Sequence, residues 1–361
     1  MRVAALDPRK REILALTVRT HIATGAPVPS SVVARRYGRR VSSATVRTEM
    51  ASLEQGGYLQ QPHTSAGRTP TAKAYEFYAQ EVATKGHLRP ADQKWIDHAL
   101  AAPQADAEAL LERVPHVLAE LCHGVGLMLA PPLTGTALDQ VRFVRLDDQR
   151  VLAVVVTRAG LVRDKVLRTR ESFSADELGR MSAYLNQHFR GWTLEAIRAE
   201  MERRVAAERS RFLRQALALC RESFQPGEER SPLHMEGVAH LTEQLEASKP
   251  EEWRELLQAL EEKERLAELL GHCVEGPDQP EKFSAGQPEK FSAGQPVRVV
   301  IGLESLSPAM RDFALIGAPY GRGRGLVGSL GLLGRTRMDY DRAISAVAYV
   351  AALFDQVLME N

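Results

Sequence analysis

Residues 28–71 read VPSSVVARRYGRRVSSATVRTEMASLEQGGYLQQPHTSAGRTPT. A short amphipathic segment, Ser31 to Tyr37, is followed by a turn at Gly38. A helix then starts at Ser42, whose hydroxyl suits an N-cap, and stops at Gly56-Gly57. Val46, Met50 and Leu53 make one apolar stripe along it and leave Ala44, Arg47, Thr48 and Ala51 on the opposite face. That face is small and polar, with one long cation. A helix of this kind can lie deep in a major groove, because bulk would hold it off the bases. An arginine there can fork onto guanine, and a threonine can contact base edges or a thymine methyl. Ser42, Ser43, Ala44, Thr45, Arg47 and Thr48 are therefore the candidate groove residues, with Arg47 as the main base reader.

Past the glycines, Tyr58-Leu59 and a polar pair lead into Pro62-His63-Thr64-Ser65-Ala66-Gly67-Arg68-Thr69-Pro70, which reads as a β-hairpin. Its tip is rich in hydroxyls, imidazole and guanidinium. His63, Thr64, Ser65 and Arg68 are the residues expected to reach the sugar-phosphate backbone or the adjacent minor groove. Helix, turn, helix and hairpin together predict a winged helix-turn-helix over residues 1–85.

Charge supports a polyanion partner. Residues 1–90 hold fourteen Lys and Arg against six Asp and Glu, a balance of +8, so a chain of formal charge +1 carries −7 on the remainder. A basic module attached to an acidic body is the footprint of nucleic-acid binding, although a basic face can also be plain solvated surface. Arg9, Lys10 and Arg11 crowd the first turn of a helix that begins at Asp7-Pro8 and carries the stripe Leu14, Val18 and Ile22. Cations there oppose the helix dipole, a small cost that a nearby phosphate would offset; surface charge is the equal alternative.

Thr71 can cap a further helix in which Tyr75, Tyr78 and Val82 share a face, read as core beneath the hairpin. Residues 86–123, interrupted by Pro103 and Pro115, read as connector helices. From Gly124 the period changes to short Val- and Leu-rich strands at 125–130, 141–146, 151–157 and 161–168, expected in one sheet, with a helix after Ser174 closing this part at 192. Residues 193–275 read as helical. Leu194, Ile197, Met201, Val205, Phe212, Ala216 and Leu219 track one face, and Trp253, Leu256, Leu257, Leu260, Ala267 and Leu270 track a second. Residues 276–296 contain the tandem QPEKFSAG repeat, too polar and glycine-bearing to bury much and read as a loop. Strands resume at 297–302, 313–317 and 325–333, and a helix from about Asp339 buries Ile344, Val347, Ala351, Phe354 and Leu358. The pattern is a sheet domain split by a helical excursion, an α+β multidomain chain.

SSATVRTEMASLEQGGYLQQPHTSAGRTPT, together with IGLES at 301–305 and GRTRMDYDRAISAV at 334–347, resembles the HrcA family of heat-inducible transcription repressors. The resemblance implies that the sheet domain is GAF-like (124–192 and 297–361) and that the helical insertion (193–275) dimerises. It further implies that the partners are the inverted-repeat operator called CIRCE in double-stranded DNA and a GroEL-type chaperonin. Thr48 stands where the family usually has Asn and lacks its bidentate amide; Ser305 replaces another common Asn, and Arg335 a common Pro. A metabolite-responsive regulator sensing an effector through the GAF-like domain is the alternative reading.

Enzyme chemistry finds little support. Gly321-Arg322-Gly323-Arg324-Gly325 lacks the Lys-Ser/Thr of a phosphate loop and reads as a turn. His116, His123, His234, His240 and His272 lack ligand spacing, and Glu304 and Asp339 suit a turn and an N-cap. No catalytic residue, metal site or cofactor is expected. Cys122, Cys220 and Cys273 lie far apart, which fits a reducing cytoplasm, and no apolar run approaches the ~18 residues of a membrane span.

Overall fold

A computed structural model describes residues 6–38, 41–63, 66–85, 88–100, 107–131, 137–158, 162–169, 171–197, 199–200, 215, 218–219, 233–243, 250–272, 297–321 and 328–360. Helices α1 (Pro8–Thr24), α2 (Ser30–Tyr37) and α3 (Ser43–Gln55) come first, then strands β1 (Leu59–Gln60) and β2 (Thr69–Pro70), then α4 (Ala72–Lys85). Leu14 and Val18 are buried and Ile22 packs against the same core. Two expected side-chain caps are absent. The Asp7 side chain makes no cap bond, although its backbone carbonyl accepts from Arg11 N at 3.0 Å. The Thr71 hydroxyl turns back instead, donating to Gly57 O at 2.7 Å and Tyr58 O at 3.0 Å, so that it ties α4 to the base of the hairpin.

Connector helices α5 (Pro90–Leu100) and α6 (Ala107–Cys122) follow, with Pro115 inside α6 rather than ending it. The strands expected in one sheet divide into two. Strand β3 (Val125–Leu129) joins an antiparallel five-stranded sheet of order β7-β3-β10-β9-β8, in which β7 is Leu233–Glu236, β8 Arg298–Ile301, β9 Phe313–Tyr320 and β10 Gly328–Arg335. Strands β4 (Leu138–Arg145), β5 (Arg150–Thr157) and β6 (Val162–Arg168) form a separate three-stranded sheet. The physical reason lies in their patterning. VGLML is apolar on both faces and needs cover on both, whereas β4 and β5 alternate buried with exposed positions and need one layer only. The excursion from the five-stranded sheet therefore begins before β4, not at residue 193, and ends at β7, a strand inside the stretch read as helical.

Helix α7 (Ala175–Phe189), opened by a capping box between Ser174 and Glu177, packs Leu178, Met181, Leu185 and Phe189 on the inner face of the small sheet. It also closes one edge. Asn186 accepts from Val141 N at 2.7 Å and donates to Val141 O at 3.0 Å, and the Ser182 hydroxyl accepts from Phe143 N at 3.0 Å, so β4 offers those groups to no further strand. The opposite face has no helix on it among the described residues. Its cross-strand rows are Val144–Leu152–Val166, Arg142–Val154–Asp164 and Gln140–Val156–Val162, with Val144 40% and Val166 50% exposed.

Both faces of the large sheet are covered. Helix α8 (Val238–Glu243) follows β7; α9 (Pro250–Glu261) and α10 (Lys263–His272) bury Leu256, Leu260, Leu266 and Leu270 on one face. The expected single stripe is thus broken at Glu262, and Leu257 is exposed. These helices pack with the large sheet, not with the three-stranded one. The final helix α11 (Tyr340–Glu360) covers the other face, buries Ile344, Val347, Ala351 and Phe354, and shares one continuous core with α1, α3 and α4. Leu194, Ile197 and Leu219 pack with the small sheet. Met201, Val205, Phe212, Ala216, Arg322 to Gly325 and the tandem repeat lie outside the described residues, as do the burial of Trp253 and Leu358. No helix among the described residues is long and apolar enough to cross a membrane.

Candidate nucleic-acid interface

The N-terminal half of α3 is built to stand free. The Ser42 hydroxyl accepts from Thr45 N at 3.1 Å, and Val46, Met50 and Leu53 seat the helix on α1 and α2. That anchorage turns Ser42, Ser43, Ala44, Arg47 and Thr48 to solvent, all of them exposed, while Thr45 is half-buried. Thr45 Oγ1 lies 3.0 Å from Ser42 Oγ, and the Thr48 hydroxyl donates to Ala44 O at 3.2 Å, an interaction within the helix that leaves its methyl outward-capable. Arg47 is held by no other side chain among the described residues. A cleft lined by Ser31, Ala34, Arg35, Gly38, Val41 and Ser43 opens between α2 and α3.

Not every cation of the basic head is available. Lys10 donates to the Ser52 hydroxyl at 2.8 Å, bracing α1 against α3. Arg11 lies 3.5 Å from Glu81 and donates to Leu6 O, Arg36 donates to the Thr20 hydroxyl at 2.9 Å, and Lys73 sits over the Tyr58 ring while donating to Gly56 O. Arg9, Arg35 and Arg47 are exposed and carry no ion pair among the described residues. Charge alone could not have separated these groups, because the separation depends on which helix face each neighbour occupies.

The hairpin is short. Leu59 pairs with Pro70 and Gln60 with Thr69, and Arg68 exchanges two backbone hydrogen bonds, of 2.9 and 3.0 Å, with Val28. An isolated antiparallel bridge thus ties the entry to α2 to the hairpin. Gly67 permits this approach: a Cβ there would lie 2.4 Å from the Val28 carbonyl carbon. At the tip His63 is exposed and its carbonyl accepts from Ala66 N at 2.8 Å. Thr64 and Ser65 lie outside the described residues. Arg68, read from sequence as a tip contact, is at the base. Its side chain is 14% exposed, and its Nε lies 3.0 Å from the Glu54 carboxylate, which fixes the hairpin against the C-terminal end of α3. The missed signal was Glu54, two residues before Gly56, which supplies an anion where the returning strand passes.

The two carboxylates set aside in the sequence, Glu304 and Asp339, hold structural places. Asp339 caps α11 by accepting from Arg342 N at 3.2 Å, and Glu304 lies in a turn. Among the described residues no group of three or more acidic, histidine or cysteine side chains could hold a metal ion.

Comparison with known proteins adds the following. The family model described as HrcA protein C terminal domain matches residues 108–344. The heat-inducible transcription repressor HrcA of Syntrophobacter fumaroxidans is 32% identical over 358 residues, which cover 98% of this chain and 98% of that protein. Its counterpart in Anaeromyxobacter sp. (strain K) is 35% identical over 363 residues, covering 98% and 96%. A crystal structure described as a hypothetical protein shares the fold, with TM-score 0.61 at 24% identity over 98% of this chain and 99% of that one.

Proposed function

Because the chain belongs to the HrcA family of heat-inducible transcription repressors, which are regulators and not enzymes, we propose that it represses by gripping the CIRCE inverted repeat as a homodimer. The observation that carries this reading is the free N-terminal half of α3 within residues 1–90, a stretch of charge +8, with Arg47 projecting from a surface of small residues. Residues 1–85 act as a winged helix-turn-helix. Arg47 reads bases, Ser42, Ser43, Ala44, Thr45 and Thr48 line the groove, and His63, Thr64 and Ser65 meet the backbone. Arg68 anchors the wing to α3.

The five-stranded sheet and its helices form the GAF-like body, and the unit built on β4, β5 and β6 is the dimerising insertion. Its bare face is self-complementary. A two-fold axis along the central strand sets Val144, Leu152 and Val166 against the same residues of a second copy, and sets Arg142 opposite the second copy's Asp164. An apolar row beside a reciprocal ion pair combines burial with register.

A GroEL-type chaperonin maintains the folded dimer on this reading. When unfolded proteins occupy the chaperonin, less repressor is folded and dimeric, and binding through two tethered half-sites falls steeply. Footprinting the purified protein in the cytoplasmic ionic range on a duplex carrying CIRCE, with and without GroEL and ATP, tests the reading. Symmetric protection of both half-sites, strengthened by chaperonin, is expected; protection indifferent to the inverted repeat overturns it.

A further inference from the structure

The stretch Arg337–Arg342, RMDYDR, belongs to a motif singled out in the sequence that the DNA-reading surface does not use. The structure places all of it except Met338 and Asp339 against the head or its connector. The Arg337 guanidinium lies over the C-terminal end of α1, so close that a Cβ on Gly25 would be 2.0 Å from its Nη1. There it meets the negative end of the helix dipole, and Gly25, at φ 69, is also the left-handed residue that ends α1. The Tyr340 ring is fully buried, 6.0 Å from the Tyr75 ring and 6.3 Å from the Tyr78 ring by centroid. The Tyr78 hydroxyl donates to the Asp341 carboxylate in a short bond and accepts from Arg19 Nε at 2.8 Å, and Arg19 Nη2 lies 3.3 Å from Asp341. Arg342 makes two bonds, of 2.7 and 3.1 Å, to Asp92 on α5. Farther along α11, the Tyr349 hydroxyl donates to Asp97 at 2.6 Å.

Apolar packing joins head and body in one core, but it is non-directional and sets no particular orientation by itself. A neutral phenol, a guanidinium and a carboxylate hydrogen-bonded in a triangle at Tyr78, Arg19 and Asp341 fix direction as well as distance. We propose that this clasp positions the reading head on the body, so that Arg19, Tyr78 and Asp341 are positioning residues that set the half-site spacing the dimer accepts. The inference rests on the palindrome-reading function above. Two heads held rigidly match one separation of half-sites, whereas loosely held heads match several, because the linkage between sites sets effective concentration.

The experiment measures binding of the full-length chain to synthetic CIRCE duplexes whose spacer is lengthened or shortened one base pair at a time, and to a duplex with a single half-site. The wild type should show one sharp optimum. Tyr78→Phe combined with Asp341→Asn should flatten that profile by about tenfold between best and off-spacing duplexes, on the scale of a lost charged hydrogen-bond network. Single half-site affinity should be unchanged. A general loss of stability lowers all duplexes together and leaves the profile's shape intact, so an unchanged shape overturns the inference. Should the double variant fail to bind the single half-site, Arg19→Gln, which keeps the Tyr78–Asp341 bond, is read on the same series with the same criterion. A wild type that does not prefer two half-sites to random duplex removes the function reading itself, and this inference with it.

Discussion

Arg47 is exposed and without a partner among the described residues, whereas Arg68 and Arg36, equally basic in the sequence, are each committed to a neighbour. The distinction makes a prediction at the level of single side chains. Arg47→Ala should cost about 1–3 kcal/mol per half-site and relax sequence preference, since a forked guanidinium contact is what discriminates the base. Equal losses on operator and random duplex in a binding titration would show a mere phosphate contact. His21 gives a second prediction. Burial, reinforced by the nearby Arg337 cation, holds its pKa below the ordinary 6.5, and its Nδ1 lies 2.8 Å from the Tyr75 hydroxyl. The unfolded chain then binds the proton more readily. The His21 contribution to stability is complete above the unfolded value and is lost as the pH falls through and below it. Thermal midpoints between about pH 7.5 and pH 5.5 should fall more for the wild type than for His21→Gln. Parallel curves would mean that the ring titrates freely.

At the level of elements, α3 illustrates how local rules and packing agree. Its start is set by the Ser42 cap, its buried side by Val46, Met50 and Leu53, and its end by Gly56-Gly57. Ser42→Ala should lower stability by about 1 kcal/mol, the ordinary worth of an N-cap, and a denaturant midpoint unchanged by the substitution would remove the cap from the account. All of this was legible in the sequence, because a cap, a period and a stop act within a few residues. The split between two sheets was less legible. The difference between VGLML and the alternating VRFVR and VLAVVV was present, but β7 is four residues with two polar positions and gives no period of its own. It exists because β3 offers it an open edge. The α9–α10 break at Glu262 is likewise unmarked along the chain, because the apolar period runs on across it.

The whole molecule sets the remaining terms. Head and C-terminal helix share one core, so the reading surface is an extension of the body, not a bead on a linker. The small sheet projects from that body with one face covered by α7 and the other bare among the described residues. Val166→Glu, at the β6 end of the apolar row Val144–Leu152–Val166, should convert a dimer to a monomer in sedimentation experiments, leaving single half-site affinity intact while operator affinity falls at least about a hundredfold, as tethering is lost. A variant that remains dimeric would place the interface elsewhere. Exchanging the charges, Arg142→Asp with Asp164→Arg, should preserve the dimer if the pair is reciprocal, whereas either change alone should weaken it.

What the sequence determined by itself was the N-terminal run of helices, with its cap and its stop, and the electrical asymmetry of the chain: capping, helical period, turn residues and net charge are local or additive properties, readable without knowing what lies across the fold. Only the tertiary structure decided which cations are spent internally, where the excursion leaves the body, and that RMDYDR grips the head. Each of those depends on residues far apart in the chain meeting at a particular distance, as Tyr78 and Asp341 do, and no pattern along the chain encodes a distance across it.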